Sequence, residues 1–140
     1  MHTGSCLCKK VKYEYTGEPL HKATCHCLTC RKITGGTNTV NFLIAEDHFR
    51  IHAGVPQQHE VLHESGMKLT HFFCDTCGTP LYKVLDGEAF RGKIIIYAGS
   101  LDAPDGLNRV KPDEELYVKH RVDWVPVIGE TRQTMAFGEF

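Results

Sequence analysis

Short runs of alternating or mostly apolar residues recur along the chain and predict β-strands. In KVKYEY, the alternation places Val11, Tyr13 and Tyr15 on one side of a strand. Five further runs, NFLIA, FRIH, KLTHFF, PLYKVL and KIIIYAG, are rich in β-branched and aromatic residues, and Gly, Pro or Asp residues separate them. The repeated spacing predicts a mainly β fold made of short strands.

Helical signals are few. Residues 28–34 are predicted to form a short turn of helix, and PDEELY, residues 112–117, is predicted to begin another because Pro112 suits a first helical turn. The stretch LDAPDGLNRVKPDEE reads as a long polar connection. We see no repeat and no linker, so we expect a single domain over residues 1–140.

Composition and charge narrow the range of partners. The 140 residues are enough to bury a core without disulfide bonds, and 16 basic against 17 acidic side chains leave a net charge of -1. This balance gives no basic surface for nucleic acid or for an anionic membrane. The sequence shows no signal peptide and no apolar run of about 18 residues. We expect a soluble, cytoplasmic protein.

Seven cysteines change the picture. An odd number of cysteines cannot all pair with one another, and a reducing compartment disfavours structural disulfides. Inert buried thiols would not cluster as C-x-C, C-x-C-x-x-C and C-x-x-C. The clustering therefore favours metal ligation over disulfides or scattered core thiols.

Four of the thiols suit a closed zinc site. Cys6 and Cys8, at positions i and i+2 of a predicted strand, can face one ion together. Cys74 and Cys77 form a C-x-x-C turn, and Gly78 can take the positive φ with which such a loop leaves the metal. Together they offer the four thiolates of a structural zinc.

The other three, Cys25, Cys27 and Cys30, match the ligand count of a catalytic zinc with one open position. Spacing alone leaves other pairings open, such as Cys25 and Cys30 with Cys74 and Cys77. His26 is a less favoured ligand because, in an alternating segment, it points away from its two neighbours.

The ordered motifs GSCLC, CHCLTCRKITGG, FCDTCGTPLY, YAGSLD and DWVPV resemble the glutathione-dependent formaldehyde-activating enzyme family, also called the centromere protein V family. The resemblance runs from about residue 3 to about residue 126 and fills all seven cysteine positions. It implies an Mss4-like zinc-binding fold of short antiparallel strands with few helices. It also implies two zinc ions per chain, a structural one and a second, open one. The ligands implied are Cys6, Cys8, Cys74 and Cys77 for the structural ion, and Cys25, Cys27 and Cys30 for the open one.

A zinc ion with three thiolates carries a charge of about -1, so it suits a substrate thiol better than a water molecule to be activated. Together with the resemblance, this implies a carbon–sulfur lyase that forms or cleaves S-hydroxymethylglutathione from formaldehyde and glutathione. One alternative is the same chemistry on a glutathione conjugate of a larger metabolite. Another is a zinc-stabilised binding module without turnover, against which the lack of a basic stripe argues.

Several polar side chains lie next to the cysteine motifs. His26, His71 and Asp75 are candidates for proton transfer, although surface positions are the more common place for such residues. Arg31 and Lys32 can attract the carboxylates of glutathione or lie in a solvated turn. Trp124 in DWVPV is predicted to be a packing residue.

A zinc-peptidase pattern, H-E-x-x-H, is present at His59, Glu60 and His63. That chemistry needs both histidines on one face of a helix. The run offers little apolar stripe, and Leu69 stands where the longer pattern needs a third ligand. We therefore expect a partly exposed edge strand there instead of a peptidase site.

Overall fold

The computed structural model describes residues 1–137, which form eleven strands and one α-helix. The helix is α1 (Leu28–Thr34). The strands are β1 (His2–Ser5), β2 (Lys12–Tyr15), β3 (His21–Cys25), β4 (Thr39–Ala45), β5 (Phe49–Ala53), β6 (Gln57–Leu62), β7 (Lys68–Phe73), β8 (Pro80–Leu85), β9 (Lys93–Tyr97), β10 (Glu114–Leu116) and β11 (Arg132–Gln133). Short 3-10 turns occur at Glu46–His48, Glu88–Phe90, Ala98–Ser100 and Val118–His120. The prediction of a mainly β fold is confirmed.

The strands form two sheets. A three-stranded antiparallel sheet has the order β1-β2-β5, and an eight-stranded sheet has the order β11-β10-β3-β4-β9-β8-β7-β6. From β3 to β6 the neighbours in the large sheet are antiparallel, whereas β10 runs parallel to both β3 and β11. The chain therefore returns late to the strand that ends at Cys25.

The main core lies between the two sheets. Tyr13 and Tyr15 share one buried face of β2, as their alternation predicts, and Val11 just before the strand is buried with them; the three are 0%, 2% and 0% exposed, respectively. They belong to the same apolar cluster as Phe42 and Ile96 of the large sheet. Burial of such side chains supplies roughly 1.5–3 kcal/mol each.

The opposite face of the large sheet is covered by α1 and by the chain after β10. Ile33 of α1 packs against an apolar cluster that contains Leu43, Leu69, Leu85 and Ile95. Leu116 and Tyr117 form a separate cluster with the cysteines of β3 and α1. This second face of the sheet therefore carries the Cys25–Cys30 segment.

Two predictions from the sequence need correction. Residues 112–117 do not begin a helix: they contain β10, because Glu114 and Glu115 are buried and find cationic partners only when the segment pairs with β3. Trp124 is not a packing residue, since 77% of its surface is exposed. The helix predicted at residues 28–34 is present with those bounds. Within residues 1–137, no helix has the length and apolar character needed to cross a bilayer.

Candidate functional site

Cys6, Cys8, Cys74 and Cys77 converge between the turn after β1 and the turn after β7. Their Sγ atoms all lie within 4.8 Å of one another, with 3.6 Å between Cys6 and Cys8 and 3.7 Å between Cys8 and Cys74. Four sulfurs bonded to zinc at about 2.3 Å in a tetrahedron lie about 3.8 Å apart. The donor set and its spacing therefore fit a closed tetrahedral metal site and are compatible with zinc.

The N-terminal half of this cluster is a turn. The sequence predicts a strand that carries Cys6 and Cys8, but β1 ends at Ser5, so this prediction was wrong. Lys9 takes a positive φ of 68° and bends the chain back, and the Val11 N–H donates to Cys6 Sγ at 3.2 Å. A tight turn thus points both thiols inward.

The C-x-x-C half has the expected geometry. Gly78 has φ of 75°, and its N–H donates to the Cys74 carbonyl at 2.9 Å. Thr79 Oγ1 accepts from the Leu7 N–H at 3.0 Å and donates to Cys77 Sγ at 3.2 Å. Among the hydrogen bonds that lower the pKa of Cys77 to about 5, the one from the Thr79 hydroxyl has the largest effect. The low pKa favours the thiolate form that binds a metal.

Asp75, one of the candidates for proton transfer, lies in this turn. Its carboxylate forms an exposed ion pair with Lys10 Nζ at 2.7 Å. The structure therefore places Asp75 between two cysteines of the four-thiol group and not in the Cys25–Cys30 segment.

Cys25, Cys27 and Cys30 form the second cluster, with all three Sγ atoms within 4.8 Å of one another. Cys25 ends β3, Cys27 is the N-cap of α1, and Cys30 lies within α1. The backbone N–H of Cys30 donates to Cys27 Sγ at 3.3 Å. The thiols are between 0% and 1% exposed. Helix α1 ends at Gly35, which takes a left-handed φ of 68°. The N-cap and the first turn of α1 thus position two of the three sulfurs, those of Cys27 and Cys30.

A buried lysine contacts this cluster. Lys83 in the middle of β8 is 3% exposed, and its Nζ lies 3.3 Å from Cys30 Sγ and 5.1 Å from the ring centre of Tyr97. Burial alone would lower the pKa of Lys83, but the attraction of Cys30 outweighs it and the pKa is raised. Lys83 was not predicted as a site residue. The feature that could have indicated it is the position of a lysine inside an otherwise apolar run, PLYKVL.

The three thiols differ in acidity. Hydrogen bonds from Cys25 and Cys27, together with the charge of Lys83, hold the pKa of Cys30 well below its ordinary value. Hydrogen bonding to Cys27 and Cys30 and burial raise the pKa of Cys25 well above it. The contact with Cys25 lowers the pKa of Cys27, but the hydrogen bond to Cys30 and burial outweigh it and raise the pKa to about 11. Cys30 is thus the most acidic of the three thiols.

His26 points away from the cysteines, as expected. It is fully buried, and its Nε2 lies 2.9 Å from Glu115 Oε1. Glu115 also accepts hydrogen bonds from Arg121 and from Gln133. Burial raises the pKa of Glu115, but the hydrogen bonds, that from His26 first, outweigh it and lower the pKa. His26 is therefore a structural link between the cysteine loop and β10, and it joins none of the metal-ligating groups of the described residues.

His71 lies one strand away from Lys83, directly opposite it in the β7–β8 register. Its Nδ1 is 3.1 Å from the hydroxyl of Tyr97, the residue whose ring faces the Lys83 ammonium. Burial, followed by the charge of Lys83, lowers the pKa of His71 to about 4. His71 is therefore neutral at physiological pH and belongs to the network behind Cys30.

The H-E-x-x-H pattern does not lie on a helix. His59 and Glu60 are exposed residues of β6, the edge strand of the large sheet, and His59 pairs with His71 across β7. This excludes the arrangement that a zinc peptidase needs. His63, however, was expected on a partly exposed edge and is instead only 2% exposed.

His63 lies beside the second cluster. A ring nitrogen of His63, Cys27 Sγ and a carboxylate oxygen of Glu64 lie within 4.8 Å of one another. The imidazole packs against the rings of Tyr117 and Phe137, with centres 5.4 Å and 5.3 Å away, and those two rings also contact each other at 5.1 Å. Nothing in the sequence distinguishes His63 from the other histidines, because its burial depends on the chain after β10.

An open groove of about 500 Å³ runs between α1 and the β6–β7 edge. It is lined by Thr29, Lys32, Ile33, His59, Val61, His71, Phe73 and Gly78. Lys32 is exposed at its rim, and Arg31 occupies the other side of the same helix end, in a shallower depression with Leu28. Thr29, Lys32 and Ile33 of α1, the helix that contains Cys30, therefore form one side of the groove.

The comparisons with known proteins agree with this geometry. The model of the glutathione-dependent formaldehyde-activating enzyme family matches residues 1–120. The chain belongs to this family. Membership supports a glutathione-dependent, formaldehyde-related function, and the two cysteine clusters of this family member are compatible with zinc.

Among solved structures, this chain is similar to the crystal structure of a Rhodobacter sphaeroides protein from a structural genomics programme. The TM-score is 0.60 at 17% identity, and the match covers 79% of this chain and 96% of the other. At that identity the likeness shows a shared fold. A comparison with curated protein sequences gave no match.

Proposed function

We propose that this chain is a zinc-dependent carbon–sulfur lyase that forms and cleaves S-hydroxymethylglutathione, with Cys25, Cys27 and Cys30 as ligands of the zinc at the reaction site. The observation that carries the proposal is the contrast between the two clusters. Four thiols form a closed group, whereas the other group of cysteines has three thiols and leaves one position of a tetrahedral metal open. In this proposal Cys6, Cys8, Cys74 and Cys77 hold the structural zinc, and the zinc at the reaction site is the second one.

When bound by three thiolates, zinc supplies a fourth position at which a substrate thiol can lose its proton and be held as thiolate. The three thiolates leave the site with a charge of about -1. The Lys83 ammonium, 3.3 Å from Cys30 Sγ, balances that charge inside the protein. A balanced, sulfur-rich site favours exchange of thiols over the activation of water.

The groove provides room for the rest of glutathione. Its rim carries the Lys32 ammonium, which can pair with a carboxylate of the tripeptide. Its walls are the apolar side chains of Ile33, Val61 and Phe73, which can contact the peptide backbone and methylene groups. Arg31 lies on the opposite side of the helix end and is placed to add to the positive potential.

The reaction needs no oxidant or reductant. In the cleavage direction, the carbon–sulfur bond of the adduct breaks and its electron pair stays on sulfur. The hydroxyl oxygen forms the carbonyl double bond to the same carbon, and its proton passes to water. Formaldehyde and the glutathione thiolate are the products, and the forward reaction reverses each change.

The test is the exchange rate between glutathione and its S-hydroxymethyl adduct at equilibrium, measured by NMR exchange spectroscopy with purified, never-chelated protein. Native mass spectrometry of the same samples counts zinc and bound glutathione. Cys27→Ser is the informative variant because a serine oxygen can still cap α1, so the helix is expected to persist. Leu28→Ala, at the exposed next position, is the matched control.

We expect two zinc ions in the wild type and in Leu28→Ala, and accelerated exchange in both. Cys27→Ser should keep one zinc and exchange at the uncatalysed rate. Full activity and full zinc content in Cys27→Ser would contradict the proposal. A wild type that binds glutathione but exchanges only conjugates of larger aldehydes would change the substrate, and one that binds no glutathione would favour a binding module.

A further inference from the structure

The hydrogen bonds around His63 fix the position of its proton. The backbone N–H of Ser65 donates to His63 Nδ1 at 3.1 Å. Ser65 Oγ accepts from the Met67 N–H at 3.3 Å and lies 2.8 Å from the same Nδ1, to which its hydroxyl can donate. Because Nδ1 accepts, the proton of the neutral imidazole lies on Nε2.

This leaves a buried donor without an acceptor. His63 Nε2 has no hydrogen-bond partner within residues 1–137, although the side chain is 2% exposed. Buried donors in native proteins are nearly always paired, so an orphan one points to a ligand. The rings of Tyr117 and Phe137 pack against the imidazole and against each other, which restricts its rotation.

The same tautomer argues against metal ligation by His63. A metal bound at Nε2 needs the lone pair of that nitrogen, and the Ser65 N–H requires the lone pair to be on Nδ1. Glu64, the other residue near Cys27, is already bound to His120 Nε2 at 3.0 Å. His63 therefore lies beside the cysteine cluster with a free N–H to donate.

We propose that His63 is a catalytic residue whose Nε2–H donates a hydrogen bond to the substrate oxygen: the carbonyl oxygen when the carbon–sulfur bond forms, and the hydroxyl oxygen when it breaks. This inference rests on the proposed function. As sulfur attacks carbon, the carbonyl electron pair moves onto oxygen, where a fixed neutral donor stabilises the growing charge. His63 keeps its own proton, and the proton that the oxygen finally gains comes from water, which also received the thiol proton.

The first test measures binding and requires no turnover. S-methoxymethylglutathione carries an ether oxygen where the adduct has its hydroxyl, and S-propylglutathione replaces that oxygen with a methylene group. We expect wild-type protein to bind the ether roughly fivefold more tightly than the propyl compound, as one hydrogen bond implies. His63→Leu should bind the two equally, and equal binding by the wild type would overturn the inference.

The second test measures exchange. His63→Leu should lower kcat about 100- to 1,000-fold, as removal of an oxyanion donor does, while two zinc ions and the affinity for glutathione are retained. His63→Gln, whose amide can replace the Nε2–H, should recover at least part of the rate. His52→Leu, the same change at an exposed residue of β5, is the control for folding and should behave as wild type.

The outcomes separate the two proposals. If the wild type neither binds glutathione nor accelerates exchange, the proposed function fails. If it does both and His63→Leu is equally fast, only the role of His63 fails. Loss of the second zinc in His63→Leu would make His63 a metal ligand and overturn the inference. Should His63→Leu not fold, long-range ¹H–¹⁵N spectra of the wild type decide: a proton on Nδ1 would contradict it.

Discussion

Replacing Lys83 by Met removes the ammonium group that lies 3.3 Å from Cys30 Sγ and keeps a side chain of similar length. In the metal-free wild type, the pKa of Cys30 lies well below its ordinary value of 9.0, whereas the pKa values of Cys25 and Cys27 are raised. The hydrogen bonds from Cys25 and Cys27 contribute most to the low pKa of Cys30, and the charge of Lys83 adds to them. Without Lys83, the pKa of Cys30 should rise, and the three thiolates of a zinc complex should lose their buried counter-charge.

The lost attraction between the ammonium and the thiolate sets the size of the effect. The direct attraction between unit charges 3.3 Å apart, at an effective dielectric constant of about 20, gives about 5 kcal/mol as an upper value. The affinity for the zinc of the Cys25–Cys30 cluster should thus fall, with about 5,000-fold as the upper value.

Competition with a chromophoric chelator at pH 7 measures the zinc affinity, and calorimetry in buffers of different ionisation enthalpy counts the protons. Lys68→Met, the same substitution at an exposed lysine of β7, should leave both quantities unchanged. The structural zinc should bind with equal affinity in the wild type and both variants, and this equality would show that all three proteins are folded. Wild-type affinity for the zinc of the Cys25–Cys30 cluster in Lys83→Met, with the wild-type number of released protons, would refute the reasoning.

Three further predictions concern stability and pH. Cys74→Ser should lose the structural zinc and unfold much of the chain, seen as loss of circular dichroism, because such sites contribute roughly 10–16 kcal/mol of apparent binding energy; wild-type stability with one zinc fewer would contradict this. Gly78→Ala should cost about 1–2 kcal/mol in denaturant unfolding because φ is 75°, whereas Gly36→Ala, with its φ outside the left-handed region, should cost less. The pKa of His71 should be about 4 by NMR titration. Because His71 of the unfolded chain binds a proton near pH 6.5, its contribution to stability is full above pH 6.5 and is lost as pH falls towards 4. His71→Phe should make the pH dependence of the unfolding free energy shallower, and an unchanged slope would count against this prediction.

Local patterns in the sequence predicted what depends on local geometry. The alternation of Val11, Tyr13 and Tyr15 gave the buried face of β2, and the spacing of Cys27 and Cys30 coincides with the first turn of α1. The positive φ of Gly78 also follows from the C-x-x-C turn. Each of these features is decided by residues within a few positions of one another.

The failures involve partners far away in the sequence. Residues 112–117 have a good helical start, but Glu114 is buried against His21 and Arg132, which no local pattern reveals. Lys83 was missed because its counter-charge, Cys30, lies 53 positions earlier. His63 was taken for an edge residue because Tyr117, which covers it, is distant in the chain.

The parallel pairing of β10 with β3 bears on the order in which the protein matures. During synthesis, the four thiols of the first cluster are all available once Cys77 has left the ribosome, so this cluster can capture metal on a half-made chain. The three thiols of the second cluster appear earlier, yet their surroundings need Lys83, Tyr117 and the Glu115 contact to His26. Reactive sulfur therefore stays in a solvent-accessible, unfinished pocket until late in translation. The window for oxidation or for capture of a wrong metal ion is longest at the cluster proposed as the reaction site.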